Sequence, residues 1–320
     1  MNKTDDISLK NRIKQKASEL GFDLVGICRP DYSPEDHDRL QRWLDKNYHA
    51  KMDYMGRTPR QRSDPGLFFE NARSVISVGI NYYNEPAYLP DRPYISLYAR
   101  GRPYQDVVKG KLKTLLEFIR NIRPETRGKI AVDTSPTFDK LWAEKAGLGW
   151  RGKNTLLINR KIGSFVFLGE LFLNLDLEPD PPETDHCADC RKCLDACPTG
   201  ALVEPRVLDA NLCISYLTIE AEGPLENPAL IGNNLFGCDI CQLACPYNKG
   251  ALPARAPEFS PEPAIPENDT NFVGMAEADF KNRYSGTILG KSGFNRYKNK
   301  AKAVDINIKK LGEPLDFESS

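Results

Sequence analysis

The chain has 320 residues, and its 44 lysines and arginines balance its 44 aspartates and glutamates, so the formal net charge is zero. A neutral total gives no support for a nucleic-acid partner but does not exclude one, because a local basic face would suffice. The sequence has no apolar run of about 18 residues, which excludes a transmembrane helix, and its 40% hydrophobic content is ordinary for a globular protein.

The first 177 residues are predicted to mix helices and strands in one layered domain of the α+β or α/β class. Periodicity and capping residues predict helices over 8–20 with Ser8 as cap, from Ser33, over 104–122 and from Pro136 to Gly147. Apolar runs predict strands at 23–28, 74–83 and 129–133, and a hairpin that joins 156–158 to 164–173. Residues 51–65 are predicted to form a loop, either solvated or in contact with a cofactor or phosphate.

The length suggests two or three domains at about 150 residues each, and proline-rich segments mark where they separate. Residues 1–177 form the first predicted domain, and the proline-rich segment after them leads into a cysteine-rich domain over 178–252. Residues 253–320 begin with a proline-rich connection and end in a basic, weakly periodic stretch. This last stretch is predicted to form a small helical tail.

Eight of the nine cysteines lie between Cys187 and Cys245. Residues 187–198 have the spacing C-x2-C-x2-C-x3-C-P, which is typical of bacterial ferredoxins with 4Fe–4S clusters. In two-cluster ferredoxins the fourth cysteine of such a run ligates the other cluster. By that rule the ligands of one predicted cluster are Cys187, Cys190, Cys193 and Cys245. The ligands of the other are Cys197, Cys213, Cys238 and Cys241.

Two zinc sites and a disulfide framework are the alternatives for these cysteines. Zinc ribbons use two C-x2-C pairs well apart in sequence, whereas here three cysteines follow one another at that spacing. Disulfide frameworks occur in short secreted chains, and this sequence begins without an apolar signal segment. Iron–sulfur clusters are therefore favoured over zinc, and a reducing cytoplasm is the expected compartment. The ninth cysteine, Cys28, is expected to be a buried packing residue.

The chemistry is expected in the N-terminal domain, because a ferredoxin module with all its ligands only relays electrons. No dinucleotide-binding or P-loop motif is present, and with only three histidines the proton-handling groups are carboxylates and tyrosines. Asp133 is the most suggestive carboxylate, because it ends an apolar strand just before a helix. It could be a proton donor or a simple helix cap, and position alone favours the cap. Asp139 and Glu144 are expected to be solvated.

Several stretches outside the cysteines resemble, in their order along the chain, those of epoxyqueuosine reductases. They are residues 54–57, 96–102, 132–136, 146–154, 163–170 and 213–220, and the similarity spans about residues 8–250. The resemblance implies a monomeric, cytoplasmic enzyme that depends on cobalamin, held in the N-terminal domain, and on two 4Fe–4S clusters. It implies the last step of queuosine synthesis, in which the epoxide on a modified wobble base of tRNA is reduced to an alkene. An unidentified reductant, such as a ferredoxin or flavodoxin, would supply the electrons.

The resemblance also implies roles for individual residues. The proton donor of the family falls on Asp133, which would lie against the cofactor as well. Arg57, Ser96 and Ser215 fall in stretches that approach the cobalamin. Lys153 and Asn154 are further candidates for cofactor contact.

The sequence departs from the family pattern at two places. Where the family usually has Gly-Arg-Asp-Tyr-His, residues 101–105 read Gly-Arg-Pro-Tyr-Gln, and the missing histidine would lie near the substrate. Residues 293–299 match the C-terminal helix of the family poorly, and the tRNA-binding helical repeats of longer members are not found. Affinity for tRNA would then come from local basic clusters, such as residues 57–62 or 291–302. The alternatives are a cobalamin reductase of a small molecule and an electron-transfer adaptor without corrinoid.

Overall fold

A computed structural model describes residues 3–85, 88–259 and 272–312. The helices are α1 (Lys3–Glu19), α2 (Pro34–Asp45), α3 (Tyr54–Arg57), α4 (Pro59–Ser63), α5 (Pro65–Phe68), α6 (Tyr104–Ile122), α7 (Asp139–Lys145), α8 (Lys192–Asp195), α9 (Ile214–Ile219), α10 (Ile240–Leu243), α11 (Glu277–Tyr284), α12 (Ile288–Ser292) and α13 (Phe294–Gly312). The strands are β1 (Leu24–Cys28), β2 (Ser74–Asn81), β3 (Tyr94–Ile95), β4 (Gly128–Ala131), β5 (Trp150–Arg151), β6 (Leu157–Ile158), β7 (Val166–Leu173), β8 (Leu202–Glu204), β9 (Val207–Leu208) and β10 (Asn234–Phe236).

A four-stranded sheet in the order β1-β2-β7-β4 organises the N-terminal part of the chain. All its strand pairs are antiparallel, and the central pair runs from Ser74 opposite Leu173 to Asn81 opposite Val166. Every residue of β2 is buried, because helices cover both faces of the sheet. The predicted mixture of helices and strands is confirmed, and the antiparallel pairing makes it an α+β architecture.

Helices pack on both faces of this sheet and build its two cores. On one face, apolar residues of α1 and α6 at helical spacing, such as Ile13 and Leu112, join one buried cluster with β2 and β7. On the other face Trp142 of α7 packs edge-on against Phe172 of β7. The end of α7 lies so close to β1 that a Cβ atom at Gly26 would be 2.0 Å from a backbone oxygen. Glycine is therefore required at that point of the strand.

The predicted bounds of α6 match the structure, whereas three other local predictions are wrong. Helix α1 begins at Lys3, so Ser8 lies inside the helix and does not cap it. The predicted loop over 51–65 contains the two short helices α3 and α4, and α5 begins at its last residue. In the predicted hairpin, Asn159 and Gly163 do pair with each other, but the two strands that flank them do not. Strand β6 pairs with β5, and β7 pairs with β2 and β4. The long apolar strand β7 can bury both of its faces because it lies in the interior of the four-stranded sheet.

The C-terminal helices α11 to α13 confirm the predicted helical tail, and they pack against the cysteine-rich part of the chain. Phe280, Tyr284 and Tyr297 form an aromatic cluster that belongs to the same core as Phe236 of β10. Strand β10 pairs in parallel with β3, which joins segments from both predicted domains. The prolines at 261, 263 and 266 of the predicted connection lie outside the described residues. Within the described ranges, no helix is long and apolar enough to cross a membrane.

Candidate cluster centres and active site

Four cysteine side chains share one cavity of about 210 Å³. They are Cys187, Cys190, Cys193 and Cys245. The indole Nε1 of the fully buried Trp150 donates a hydrogen bond to Sγ of Cys187 over 3.4 Å, and Tyr247 packs edge-on against the same indole. All nine cysteines are free thiols, which excludes a disulfide framework in this structure. Four thiols around a cavity of this size fit an iron–sulfur cluster.

The other four cysteines of the motif form a second group. Cys197, Cys213, Cys238 and Cys241 lie within electrostatic range of one another. Burial, with the charges of Asp239 and neighbouring thiolates, raises the pKa of the Cys238 thiol to about 12. The backbone N–H groups of Ser215 and Tyr216, at the start of α9, donate to the sulfur of Cys213. Crowded thiols of this kind become thiolates when cationic iron balances their charge, so these residues also fit a cluster.

Asp239 ties the second cysteine group to β3 and the residues just after it, a contact that was not predicted from the sequence. Its buried carboxylate accepts hydrogen bonds from the hydroxyls of Tyr94 and Ser96 at 2.8 and 2.6 Å, and from the backbone N–H of Leu97 at 2.8 Å. Since Asp239 lies between Cys238 and Cys241 in sequence, these bonds hold the cysteine loop against the N-terminal part. The spacing of the cysteines gives no signal for this contact.

Asp133 lies just beyond β4 in the left-handed backbone conformation, with a φ of 54°. Its exposed carboxylate accepts a hydrogen bond from Nε2 of Gln105 over 2.9 Å, and its backbone N–H donates to Oδ2 of Asp139 over 3.2 Å. The predicted alternative of a helix cap is wrong, because α7 begins at Asp139 with Phe138 as its cap. A left-handed conformation is uncommon for a residue with a side chain and is found preferentially at functional sites.

Three tyrosines surround Asp133 and remain protonated near neutral pH. Burial raises the pKa values of Tyr54, Tyr98 and Tyr104, and the nearby charge of Asp133 raises them further. Their hydroxyls can therefore donate hydrogen bonds to an oxygen atom placed beside Asp133. This agrees with the expectation that tyrosines and carboxylates are the proton-handling groups of the N-terminal domain.

The expectation that Asp139 and Glu144 are solvated is wrong for both residues. One carboxyl oxygen of Asp139 is buried and the other is bonded to Asp133. Glu144 forms an ion pair with Arg151, which in turn pairs with Asp36 of α2. These two side chains of α7 thus contact other elements, Asp139 the turn after β4 and Glu144 the strand β5. A short helical sequence does not reveal such packing.

A cavity of about 650 Å³ opens beside Asp133, between α2, α7 and the hairpin of β8 and β9. The apolar side chains that line the cavity include Leu40, Trp43, Phe138 and Leu208, and cationic side chains lie among them. The cationic residues are Arg39, Arg42, Lys46, Arg62, Lys140, Arg151 and Arg206. Acidic residues also line the cavity, namely Asp36, Asp133, Asp139 and Glu204, so a cavity of this size suits a large, partly apolar ligand with polar groups. We call it the Asp133 cavity.

The other predicted cofactor residues do not line the Asp133 cavity. Arg57 is exposed at the end of α3, and Ser215 is half-buried at the start of α9. Ser96 is buried, and its hydroxyl is already bonded to Asp239. Lys153 and Asn154 line the first cysteine cavity, where Lys153 donates to the carbonyl oxygen of Ala188. The structure thus brings only Asp133 of this set to the large cavity.

Two known protein families match parts of this chain. Residues 186–248 match the family described as a 4Fe-4S double cluster binding domain. Residues 62–134, which include β2, α6 and Asp133, match the family described as epoxyqueuosine reductase QueG, DUF1730. The fold and the site therefore define an oxidoreductase with a double iron–sulfur domain.

Most of the chain is similar to epoxyqueuosine reductases. It is 49% identical over 252 residues to the epoxyqueuosine reductase of Leadbetterella byssophila, with 78% of this chain and 83% of the relative covered. It is 41% identical to the Escherichia coli enzyme, with 90% and 78% covered. A crystal structure of an epoxyqueuosine reductase with a modified tRNA-Tyr stem loop superposes with a TM-score of 0.87 at 31% identity, over 96% of this chain and 83% of that chain. The chain belongs to the epoxyqueuosine reductase family.

Proposed function

We propose that this enzyme reduces epoxyqueuosine in tRNA to queuosine with cobalamin in the Asp133 cavity, and that Asp133 is the proton donor. The observation that carries the proposal is the position of Asp133, strained and exposed at the edge of the cavity and oriented by Gln105. A Bacillus subtilis epoxyqueuosine reductase, which superposes with a TM-score of 0.84 at 29% identity over 96% of this chain and 83% of that chain, has been described with an aspartate catalytic loop swung out of its active site. A mobile aspartate loop in a relative is consistent with this role for Asp133.

The walls of the Asp133 cavity match the chemistry of cobalamin. Its apolar residues, such as Trp43 and Leu208, would contact the corrin ring, and cations such as Arg42 and Arg62 would balance its phosphate. Arg57, Ser96, Ser215, Lys153 and Asn154 do not line this cavity, and they are proposed as contacts for parts of the cofactor that extend beyond it. Because the hydroxyl proton of Ser96 is given to Asp239, Ser96 would act as an acceptor. Cobalamin supplies a strongly reducing, nucleophilic cobalt centre.

We propose two 4Fe–4S clusters as the electron path, held by the two cysteine groups. The first would be ligated by Cys187, Cys190, Cys193 and Cys245, and the second by Cys197, Cys213, Cys238 and Cys241. Ser215 follows Cys213 by two residues, so the second group lies beside a proposed cofactor contact. A ferredoxin or flavodoxin is the proposed reductant, and we propose a monomer that works in the cytoplasm.

The proposed substrate is tRNA with epoxyqueuosine at the wobble position. A relative of 31% identity has been crystallised with such a stem loop. Arg57 and Arg60 are exposed on α3 and α4, next to the residues that line the Asp133 cavity, and could contact phosphates. Asp133 would protonate the oxygen of the epoxide as its carbon–oxygen bond breaks, while Tyr104 and Gln105 hold the carboxyl group in place.

The test is an anaerobic single-turnover assay. Reconstituted, cobalamin-loaded protein would be reduced and mixed with an epoxyqueuosine-containing stem loop, and the nucleosides would be analysed by mass spectrometry. Loss of one oxygen from the modified base supports the proposal. No product, with cobalamin bound and both clusters reducible, would contradict it and would favour a cobalamin reductase of a small molecule. The observation behind that second candidate is Gln105, which stands beside Asp133 where the family usually has histidine.

A further inference from the structure

The reduction of an epoxide to an alkene consumes two electrons and two protons and releases the oxygen as water. One carbon–oxygen bond breaks as the oxygen takes the first proton. The second bond breaks as the hydroxyl takes the second proton and leaves, and the two electrons form the double bond. Asp133 holds one proton at a time, so the reaction proposed above needs a second source within reach. The following inference rests on that proposed function.

A second pair of carboxyl groups lies directly behind Asp133. Glu170, on the central strand β7, has no solvent exposure, and its Oε1 accepts a hydrogen bond from the hydroxyl of Ser77 over 3.4 Å. Asp139, the first residue of α7, lies within hydrogen-bonding reach of Glu170. Its Oδ2 accepts the backbone N–H of Asp133, and its side chain lines the Asp133 cavity. The pair therefore connects the buried sheet with the active-site cavity.

The two remaining carboxyl oxygens of this pair have no ordinary hydrogen-bond donor. Oδ1 of Asp139 and Oε2 of Glu170 are buried, and neither has a partner among the described residues. Two ionised carboxylates cannot bond to each other, and a buried unpaired charge is costly. A proton shared between the two groups removes both difficulties, since it provides the missing donor and removes one negative charge.

The charges around the pair agree with a proton held near neutral pH. Burial, and after it the charge of Asp133, raises the pKa of Asp139 to about 7. Burial raises the pKa of Glu170 well above its usual value, and Asp139 raises it further. Besides Asp133 and Glu170, the groups that face Asp139 are Arg62, Tyr104 and Lys140. The two cations do not compensate the burial of two carboxyl groups.

We propose that Asp139 and Glu170 form a proton-sharing pair that reloads Asp133, so that it can deliver the second proton of the reduction. Asp133 gives the first proton to the epoxide oxygen and becomes a carboxylate. The pair then passes its shared proton from Asp139 to Asp133 within the cavity that both residues line, and takes up a replacement proton from solvent in that cavity before the next turnover. Asp133 delivers this proton to the departing hydroxyl, which leaves as water. Asp139 and Glu170 thus act through Asp133 and do not contact the substrate.

Single-turnover kinetics of Asp139→Asn and Glu170→Gln test the transfer. Because the pair acts only after the first proton has been delivered, we expect the epoxide to disappear at nearly the wild-type rate. Formation of the alkene should lag by at least about 100-fold, the low end of the effect of one positioned proton transfer. Glu117→Gln, an exposed carboxylate on α6, is the control and should show no lag. Equal rates of epoxide loss and alkene formation in both variants would overturn the proposal.

Two measurements on the protein without cobalamin test the shared proton in the absence of turnover. At pH 7, the infrared carbonyl stretch of protonated carboxylic acids should be present in the wild type and in Glu117→Gln, and should be weaker in either pair variant. The raised pKa also means that the folded protein binds a proton that the unfolded chain releases. The contribution of Asp139 to the free energy of unfolding should therefore fall as pH rises from about 4 to about 7. Asp139→Asn should remove the part of this slope that Asp139 contributes.

These measurements separate the inference from the proposed function. If the wild type does not reduce epoxyqueuosine, the proposed function fails, while the infrared band still reports whether the pair holds a proton. If the wild type turns over but shows no carboxylic-acid band at pH 7, the proton-sharing pair is excluded. This last result needs no variant, so it decides the question even where Asp139→Asn or Glu170→Gln does not fold.

Discussion

Gln105 donates a hydrogen bond from its side-chain Nε2 to Oδ2 of Asp133, and the two atoms are 2.9 Å apart. The bond joins the start of α6 to the turn after β4, and it orients the carboxylate that faces the Asp133 cavity. An amide has no proton to give near neutral pH, unlike the histidine that the resemblance implies at this position. Gln105 therefore positions Asp133 without supplying a proton itself.

Gln105→Leu should lower the single-turnover rate by about tenfold. A hydrogen bond to a charged group contributes about 1.5–3 kcal/mol, and its loss frees the carboxylate to leave its productive orientation. The rate would be measured with the epoxyqueuosine stem loop under anaerobic conditions. Gln105→His, which keeps a donor in reach of Asp133, is the matched control and should stay within a few-fold of the wild type. A wild-type rate in Gln105→Leu would show that the bond has no part in catalysis.

Asp133→Asn should keep cobalamin and iron and lose turnover by at least about 100-fold, because the amide cannot protonate the epoxide oxygen. Binding of cobalamin would be followed by its visible absorption, and iron by chemical analysis. Asp106→Asn, an exposed aspartate on α6 that pairs with Lys291, provides the comparison and should be fully active. Full activity of Asp133→Asn would remove Asp133 as the acid.

Cys190→Ser should lose about half of the bound iron, because one of two clusters loses a ligand. Cys28→Ala is the control. Burial raises the pKa of the Cys28 thiol to about 12, and the residue packs in the core between the sheet and α7. It should therefore keep all its iron and lose only packing energy. Iron and sulfide analysis of the two reconstituted variants distinguishes these outcomes, and unchanged iron in Cys190→Ser would break the ligand assignment.

The sequence predicted those parts of the molecule that depend on local spacing. The periodicity of residues 104–122 defined α6, and the spacing of the cysteines separated two groups of four. The partner of β7 could not be predicted, because an apolar strand can bury itself against any other and its pairing is decided by the whole sheet. The left-handed backbone conformation at Asp133 could not be predicted either, because the residue at that position is not a glycine.

The contacts behind the active site were missed for a related reason. From the sequence, Asp139 is expected to be a solvated residue at the start of a helix. Only the packing of α7 on the sheet brings its carboxyl group to Glu170. From the sequence, Asp239 likewise shows no role beyond separating two cysteines. In the structure its carboxylate accepts three hydrogen bonds from β3 and the residues just after it. Both are long-range contacts, and periodicity describes only the neighbourhood of a residue.

Asp239→Ala should destabilise the protein by at least about 3 kcal/mol, because it leaves three buried donors without an acceptor. Ser96→Ala removes only one of these donors, so its cost should be about 1 kcal/mol. The free energy of unfolding would be measured by urea titration of both variants under identical conditions. Equal stability of the two would show that water or another acceptor replaces Asp239.

Arg57→Ala and Arg60→Ala should each weaken binding of the tRNA stem loop and reduce its dependence on salt. Both side chains are exposed beside the Asp133 cavity, and each phosphate contact that is lost should lower the slope of log K against log salt by about 0.7–0.9. Lys113→Ala, an exposed cation on α6, is the control with the same change of charge. Binding would be measured by fluorescence anisotropy at several salt concentrations. A slope that changes equally in all three variants would mean that net charge, and not a local contact, attracts the tRNA.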